Sequence, residues 1–137
     1  MEKQHALQQL EQLQKKLYAI HYACSAMNLD ADTVAPKNTS EGRGVALGVL
    51  AGEEQQLMIC PETRALLDEL DRQKDELDLL HRREVEELRR RCDQLTRIPA
   101  EEYIAYSELV NKAGDVWHKA KEKDDFAMFC PLLQELV

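Results

Sequence analysis

The chain has 137 residues, enough for one ordinary domain with a small core. Aromatics make up 5% of it, with five glycines and four prolines, and Leu, Glu, Gln, Lys and Arg dominate, a mixture that favours helix and argues against a sheet. A net charge of -8 disfavours nucleic acid as a partner, and no apolar run is long enough to cross a membrane.

The first element is a long one-faced helix over about residues 2–29. It carries Leu7, Leu10, Leu13, Leu17, Ile20, Cys24 and Met27 at steps of three and four. A loop follows over residues 30–40, where Pro36, Asn38 and Thr39 resist helix. The next helix, about 40–58, holds Gly42, Gly44, Gly48 and Gly52, each costing about 1 kcal/mol against Ala. Close approach of a neighbouring helix is the expected reason for them.

Pro61 and Glu62 then open a helix in the manner of a proline in the first turn with an acid beside it. Leu66, Leu67, Leu70, Leu77 and Leu80 form one stripe, continued by Val85, Leu88, Cys92 and Leu95. The polar stretch 72–78 fits a turn between two antiparallel helices, although one long helix fits too. Arg82, Arg83, Arg89, Arg90 and Arg91 alternate with Glu84, Glu86 and Glu87. They read as a solvated face with Glu86–Arg90 and Glu87–Arg91 pairs.

Ile98 to Glu102 gives a second proline-then-acid start. The helix it opens has Tyr103, Tyr106, Val110, Ala113, Trp117 and Ala120 as its expected core face. Asp124 or Asp125 caps a last helix with Phe126, Phe129, Leu132, Leu133 and Leu136, in which Pro131 should introduce a kink. The chain closes on Glu135, Leu136 and Val137 without a C-cap glycine or polar tail, which reads as a piece of a longer polypeptide. The sum is an all-α fold of five or six mostly antiparallel helices, bundle-like, in a single domain over residues 1–137.

The residues show no active site. His5, His21, His81 and His118 are isolated, and none belongs to an H-E-x-x-H pair. His81 and Glu84 reverse the order of the E-x-x-H pairs of di-iron bundles, on a face crowded with arginines. Cys24, Cys60, Cys92 and Cys130 form no C-x-x-C pair and read as small buried hydrophobes of a reducing, cytoplasmic protein. There is no G-x-S-x-G elbow and no phosphate loop. No catalytic residue and no metal ligand is assigned to the chain.

Several segments nevertheless resemble the thermostable (Taq-type) metallocarboxypeptidases. The W-D-x-x-T motif of that family is matched in register by Leu29, Asp30, Ala31, Asp32 and Thr33, with Leu29 in the tryptophan's place, and Pro36 follows. Its E-G-R element is Glu41, Gly42 and Arg43, and its P-E helix ending in L-L-D-E-L runs from Pro61 to Leu70. The I-P-E-E-like start corresponds to Ile98 to Glu102. The A-W-x-x-A-(K/R) and D-F-x-x-F-x-P-x-L motifs correspond to Trp117, Ala120 and Lys121, then Asp125, Phe126, Phe129, Pro131 and Leu133.

The resemblance implies a hydrolase that removes C-terminal residues from peptides, with zinc or another divalent metal in the parent enzyme. Its H-E-x-x-H, glutamate ligand and arginine motifs lie beyond the region corresponding to Val137. The chain would then be the amino-terminal helical lid and groove wall, inactive alone, with the missing catalytic domain as partner and peptides as substrates through the parent. Asp30, Thr33, Pro36, Glu41 and Arg43 are the candidate groove residues; Trp117, Asp125, Phe126, Phe129 and Pro131 are the structural motif, with Trp117 and Phe126 expected in the inter-helix core. A homodimer through the apolar last helix is expected as well. The rival reading is a stand-alone helical protein-interaction module with no enzymatic role.

Overall fold

A computed structural model describes residues 2–137. Six α-helices follow in order: α1 Lys3–Thr33, α2 Ser40–Ile59, α3 Pro61–Arg72, α4 Leu79–Thr96, α5 Ala100–Glu122 and α6 Phe126–Leu136. A single 3-10 turn, Lys74–Glu76, separates α3 from α4, and there is no strand among the described residues. The fold is therefore all-α, with 87% of the described residues helical, more than the element lengths read from sequence had suggested. Of the two readings of residues 72–78, the turn is the one observed.

The chain divides into two compact units. The first is the segment ending at His21 together with Glu53–Pro99; the second is Tyr22–Gly52 with Ala100–Val137. Helices α1 and α2 are each divided between the units, α1 with its larger part in the first and α2 with its larger part in the second.

In the first unit, Ala6, Leu10, Leu66, Leu70, Leu77 and Val85 form the core, with Leu7 and Leu88 packed against it. These are the stripe positions on α1, α3 and α4, and their burial is what makes those amphipathic helices stable. Leu80 is the exception: it lies 66% exposed. The cause is Asp78, which caps α4 through the His81 backbone N–H at 2.9 Å, so that Leu79 and Leu80 fall in the first turn on the outer side. The same N–H, and then the His81 ring at 2.7 Å from Oδ2, hold the Asp78 carboxyl below its ordinary range. The stabilisation this gives is present above the usual aspartate pKa and is lost as pH falls through the lowered value.

Helix α1 runs four residues past its expected end. The Thr33 hydroxyl donates to the Leu29 carbonyl at 2.6 Å, and the Val34 and Ala35 amides both reach the Asp30 carbonyl. Nothing in Asp30–Thr33 breaks a helix, and termination waits for Pro36, which disfavours helical geometry in the residue before it. Asn38 takes a φ of 66°, a conformation that asparagine tolerates, inside the short loop that remains.

In the second unit, glycines set the packing of α2 on α5. A Cβ built on Gly44 would lie 3.1 Å from Asn111 Nδ2, on Gly48 2.7 Å from Glu108 Oε1, and on Gly52 3.0 Å from Ile104 Cδ1. At these three positions the glycine makes room for an α5 side chain, and the two helix backbones themselves do not run close together. Around Gly42 there is nothing within 4 Å, and packing gives it no reason. Helix α5 ends at Glu122, Asp124 turns the chain with φ 51°, and Asp125 then caps α6 by accepting the Met128 amide at 3.3 Å. Helix α6 continues through Pro131, which lacks the amide that would have paired with the Ala127 carbonyl.

The α5 core face is narrower than expected. Ala113 and Ala120 are buried, but Tyr106, Val110 and Trp117 are 54%, 45% and 43% exposed, and Phe126 on α6 is 64% exposed. Trp117 and Phe126 are thus not inter-helix core.

Two stability predictions follow from this packing. Gly42→Ala should raise stability by about 0.5–1 kcal/mol, while Gly52→Leu should lower it by about 1–3 kcal/mol, both read by denaturant unfolding. Equal effects of the two changes would contradict the α2–α5 contact. Trp117→Ala should cost only about 1–2 kcal/mol, since the half-exposed ring loses little beyond its contact with the Lys121 ammonium, 5.1 Å from the ring centre; a loss above about 3 kcal/mol would place the ring in a core.

Candidate functional site

Of the candidate groove residues, Pro36 and Arg43 come together at the start of α2, through Thr39. Arg43 lies on the first turns of that helix, half-buried, and its Nε donates to Asn111 Oδ1 at 3.0 Å. Asn111 projects from the middle of α5, where its Nδ2 donates to the Ser40 carbonyl at 2.9 Å. One carboxamide therefore satisfies both a guanidinium and one end of a helix. Gly44, whose missing Cβ leaves room for that amide, makes the arrangement possible. Thr39 completes it: its hydroxyl donates to the Pro36 carbonyl at 2.8 Å and lies 3.5 Å from Arg43 Nη1.

The other candidates stand nearby in sequence with different roles. Asp30 contributes its carbonyl to the end of α1, and Thr33 its hydroxyl bond to Leu29. Glu41 is exposed in the first turn of α2, where a negative charge is favoured by the helix dipole. Asp32, one residue before Thr33, meets His118 of α5 at 3.0 Å. Asn111, Ser40 and His118 were not singled out from sequence. The one available signal was Asn111 itself, a poor helix former in the interior of an otherwise regular helix.

Among the motif residues, Asp125 is the cap of α6, while Phe126 and Phe129 meet edge to face with centroids 6.3 Å apart. Trp117, Ala120, Phe126 and Phe129 line a cavity of about 270 Å3 between α5 and α6.

The first unit holds a second polar cluster. Glu54 on α2 is only 7% exposed, and its Oε1 meets both His21 Nε2, at 2.9 Å, and Arg91 Nη2. Arg91 is thus no part of a solvated face. Arg89 likewise reaches across to α3, 2.8 Å from Asp71 and 3.3 Å from Asp68. Arg90 does stay on the surface, but it pairs with Glu87 three residues back, as Arg83 does with Glu86 three residues on, in place of the i,i+4 pairs expected. The Glu87 carboxyl is held below its usual range mainly by its hydrogen bond to Arg90. Gln55, fully buried, donates from Nε2 to the Leu95 and Ile98 carbonyls and closes the end of α4.

None of these clusters has the composition of a metal site. His21, His81 and His118 each stand beside a single carboxylate, and His5 beside the Gln9 amide. No group of three or more His, Cys, Asp or Glu side chains converges among the described residues, so the groups present do not fit a catalytic zinc. Cys60 Sγ is engaged with the Leu57 carbonyl at 3.4 Å and the Thr63 hydroxyl at 3.3 Å.

Comparison with known proteins gives this helical assembly its class. It is the fold of part of a metallopeptidase: the crystal structure titled BsuCP superposes with a TM-score of 0.90 at 30% identity, over 96% of this chain and 26% of that one. The family described as "Carboxypeptidase Taq (M32) metallopeptidase" matches residues 9–137, and the chain belongs to that family. It is 34% identical over 119 residues to Carboxypeptidase 1 of Bacillus subtilis, covering 85% of this chain, and 29% identical over 123 residues to Thermostable carboxypeptidase 1 of Pyrococcus furiosus, covering 90% of it. In each case the chain spans about a quarter (24%) of the relative's length. No helix of the described residues is long and apolar enough to cross a membrane.

The Asn111 amide generates a prediction. Asn111→Ala should lower stability by about 1–3 kcal/mol, because it leaves the half-buried Arg43 Nε without its acceptor. Chemical denaturation would measure the loss, and a change within about 0.3 kcal/mol would mean that water replaces the amide at no cost.

Proposed function

We propose that this chain is the amino-terminal helical lid and substrate-groove wall of a cytoplasmic, zinc-type metallocarboxypeptidase that removes C-terminal residues from peptides. The reading is carried by the match of nearly the whole chain to about a quarter of carboxypeptidases from two organisms. The metal and the general base then belong to the remainder of such an enzyme, and this chain's task is to position peptide.

The residues suited to that task are those at the α1–α2 turn. Arg43 keeps guanidinium donors beyond the Nε that Asn111 engages, and a guanidinium is a strong partner for a carboxylate or a peptide carbonyl. The Pro36–Thr39 segment is fixed by its own hydrogen bond and by the helix start behind it, so a peptide would meet a rim already in place. Asp30, Thr33 and Glu41 complete that rim.

A graft tests the reading. This chain would replace the corresponding quarter of the Bacillus subtilis enzyme. The chimera should bind its metal and hydrolyse a peptide substrate, and Arg43→Ala within it should lower kcat/KM by about tenfold with metal content unchanged. A folded, metal-loaded chimera without peptide hydrolysis would overturn the assignment.

A further inference from the structure

On α5, Tyr106, Val110 and Trp117 follow one another at steps of four and seven and so lie on one face of the helix. All three are close to half exposed, and the even more exposed Phe126 adjoins Trp117 across the small cavity lined by Ala120 and Phe129. Three aromatic rings and a valine side by side amount to several hundred Å2 of open apolar surface, more than a soluble surface commonly leaves uncovered in one place. The face is socket-like, since the cavity holds about 270 Å3 beside Trp117.

We propose that this α5–α6 face is the seat of the catalytic remainder of the carboxypeptidase, with Trp117 and Phe126 as its buried anchors. The inference rests on the reading of the chain as one part of such an enzyme. The fold occupies 26% of the related structure at a TM-score of 0.90, so the other three quarters of that fold must pack on some surface of this one. Of the surfaces open here, this one gathers the chain's one tryptophan and both of its phenylalanines, the residues that dominate interface energetics. A second copy of the chain is the less suitable occupant, because it would bring together two molecules of net charge -8.

Hydroxyl-radical footprinting of the grafted chimera, native against denatured, tests the assignment. Trp117 and Phe126 should label about tenfold more slowly in the native chimera at every protein concentration. Labelling slowed only about twofold, as the exposures seen here imply, would overturn the inference. Protection that vanishes on dilution would overturn it too, in favour of a second copy. Peptide hydrolysis by the same sample reports separately on the lid assignment. An active chimera with Trp117 unprotected removes the docking face alone; an inactive but protected one leaves the docking face standing and removes the lid.

Discussion

The room that α2 leaves for α5 side chains is the constraint on which the candidate rim depends. Gly44, Gly48 and Gly52 stand one turn apart, and each faces a different α5 side chain: an amide, a carboxylate and an isoleucine methyl. A side chain at Gly44 would displace the Asn111 amide by a few tenths of an ångström. Asn111 could then no longer span from the Ser40 carbonyl to Arg43, and the Arg43 guanidinium would lose the partner that orients it. A packing detail with a cost in helix propensity thus positions a charged group at the candidate rim. Helix formation alone would have favoured alanine at all three sites.

The first unit follows a different rule. Its leucine and valine core is ordinary, but polar groups buried at its edge tie three helices together. Glu54 draws in His21 from α1 and Arg91 from α4, and Gln55, beside it on α2, supplies the carbonyls at the end of α4 with a donor. Such buried polar contacts contribute modest net stability, and removing one partner costs more than the pair is worth. Their effect is therefore on the register of α2 against α4 more than on the total stability.

The elements were legible in the sequence because local rules decide them. Pro61, Pro99 and Asp125 each mark a helix start by chemistry that acts within a few residues, and the leucine period marked the buried faces of α1, α3 and α4. What sequence did not give depended on the third dimension. The face of α5 carried aromatics at helical spacing, which reads as core, whereas in the fold Ala113 and Ala120 are buried and Tyr106 and Trp117 stay about half exposed. Arg91 looked like one more surface charge until the fold brought Glu54 to it. The candidate site was legible only through the family's motifs, and Asn111, which holds Arg43 in place, lies outside all of them.

Both long amino-terminal helices are shared between the two units. As the polypeptide leaves the ribosome, α1 and α2 emerge complete, yet neither unit can close on them. The first must wait for residues up to Pro99, and the second for α5 and α6. For most of its synthesis the nascent chain therefore presents the apolar stripes of α1 and the glycine-lined side of α2 without their partners, a stage at which misassembly competes with folding. The abundance of charge, 32% of all residues, would hold the growing chain in solution through that interval.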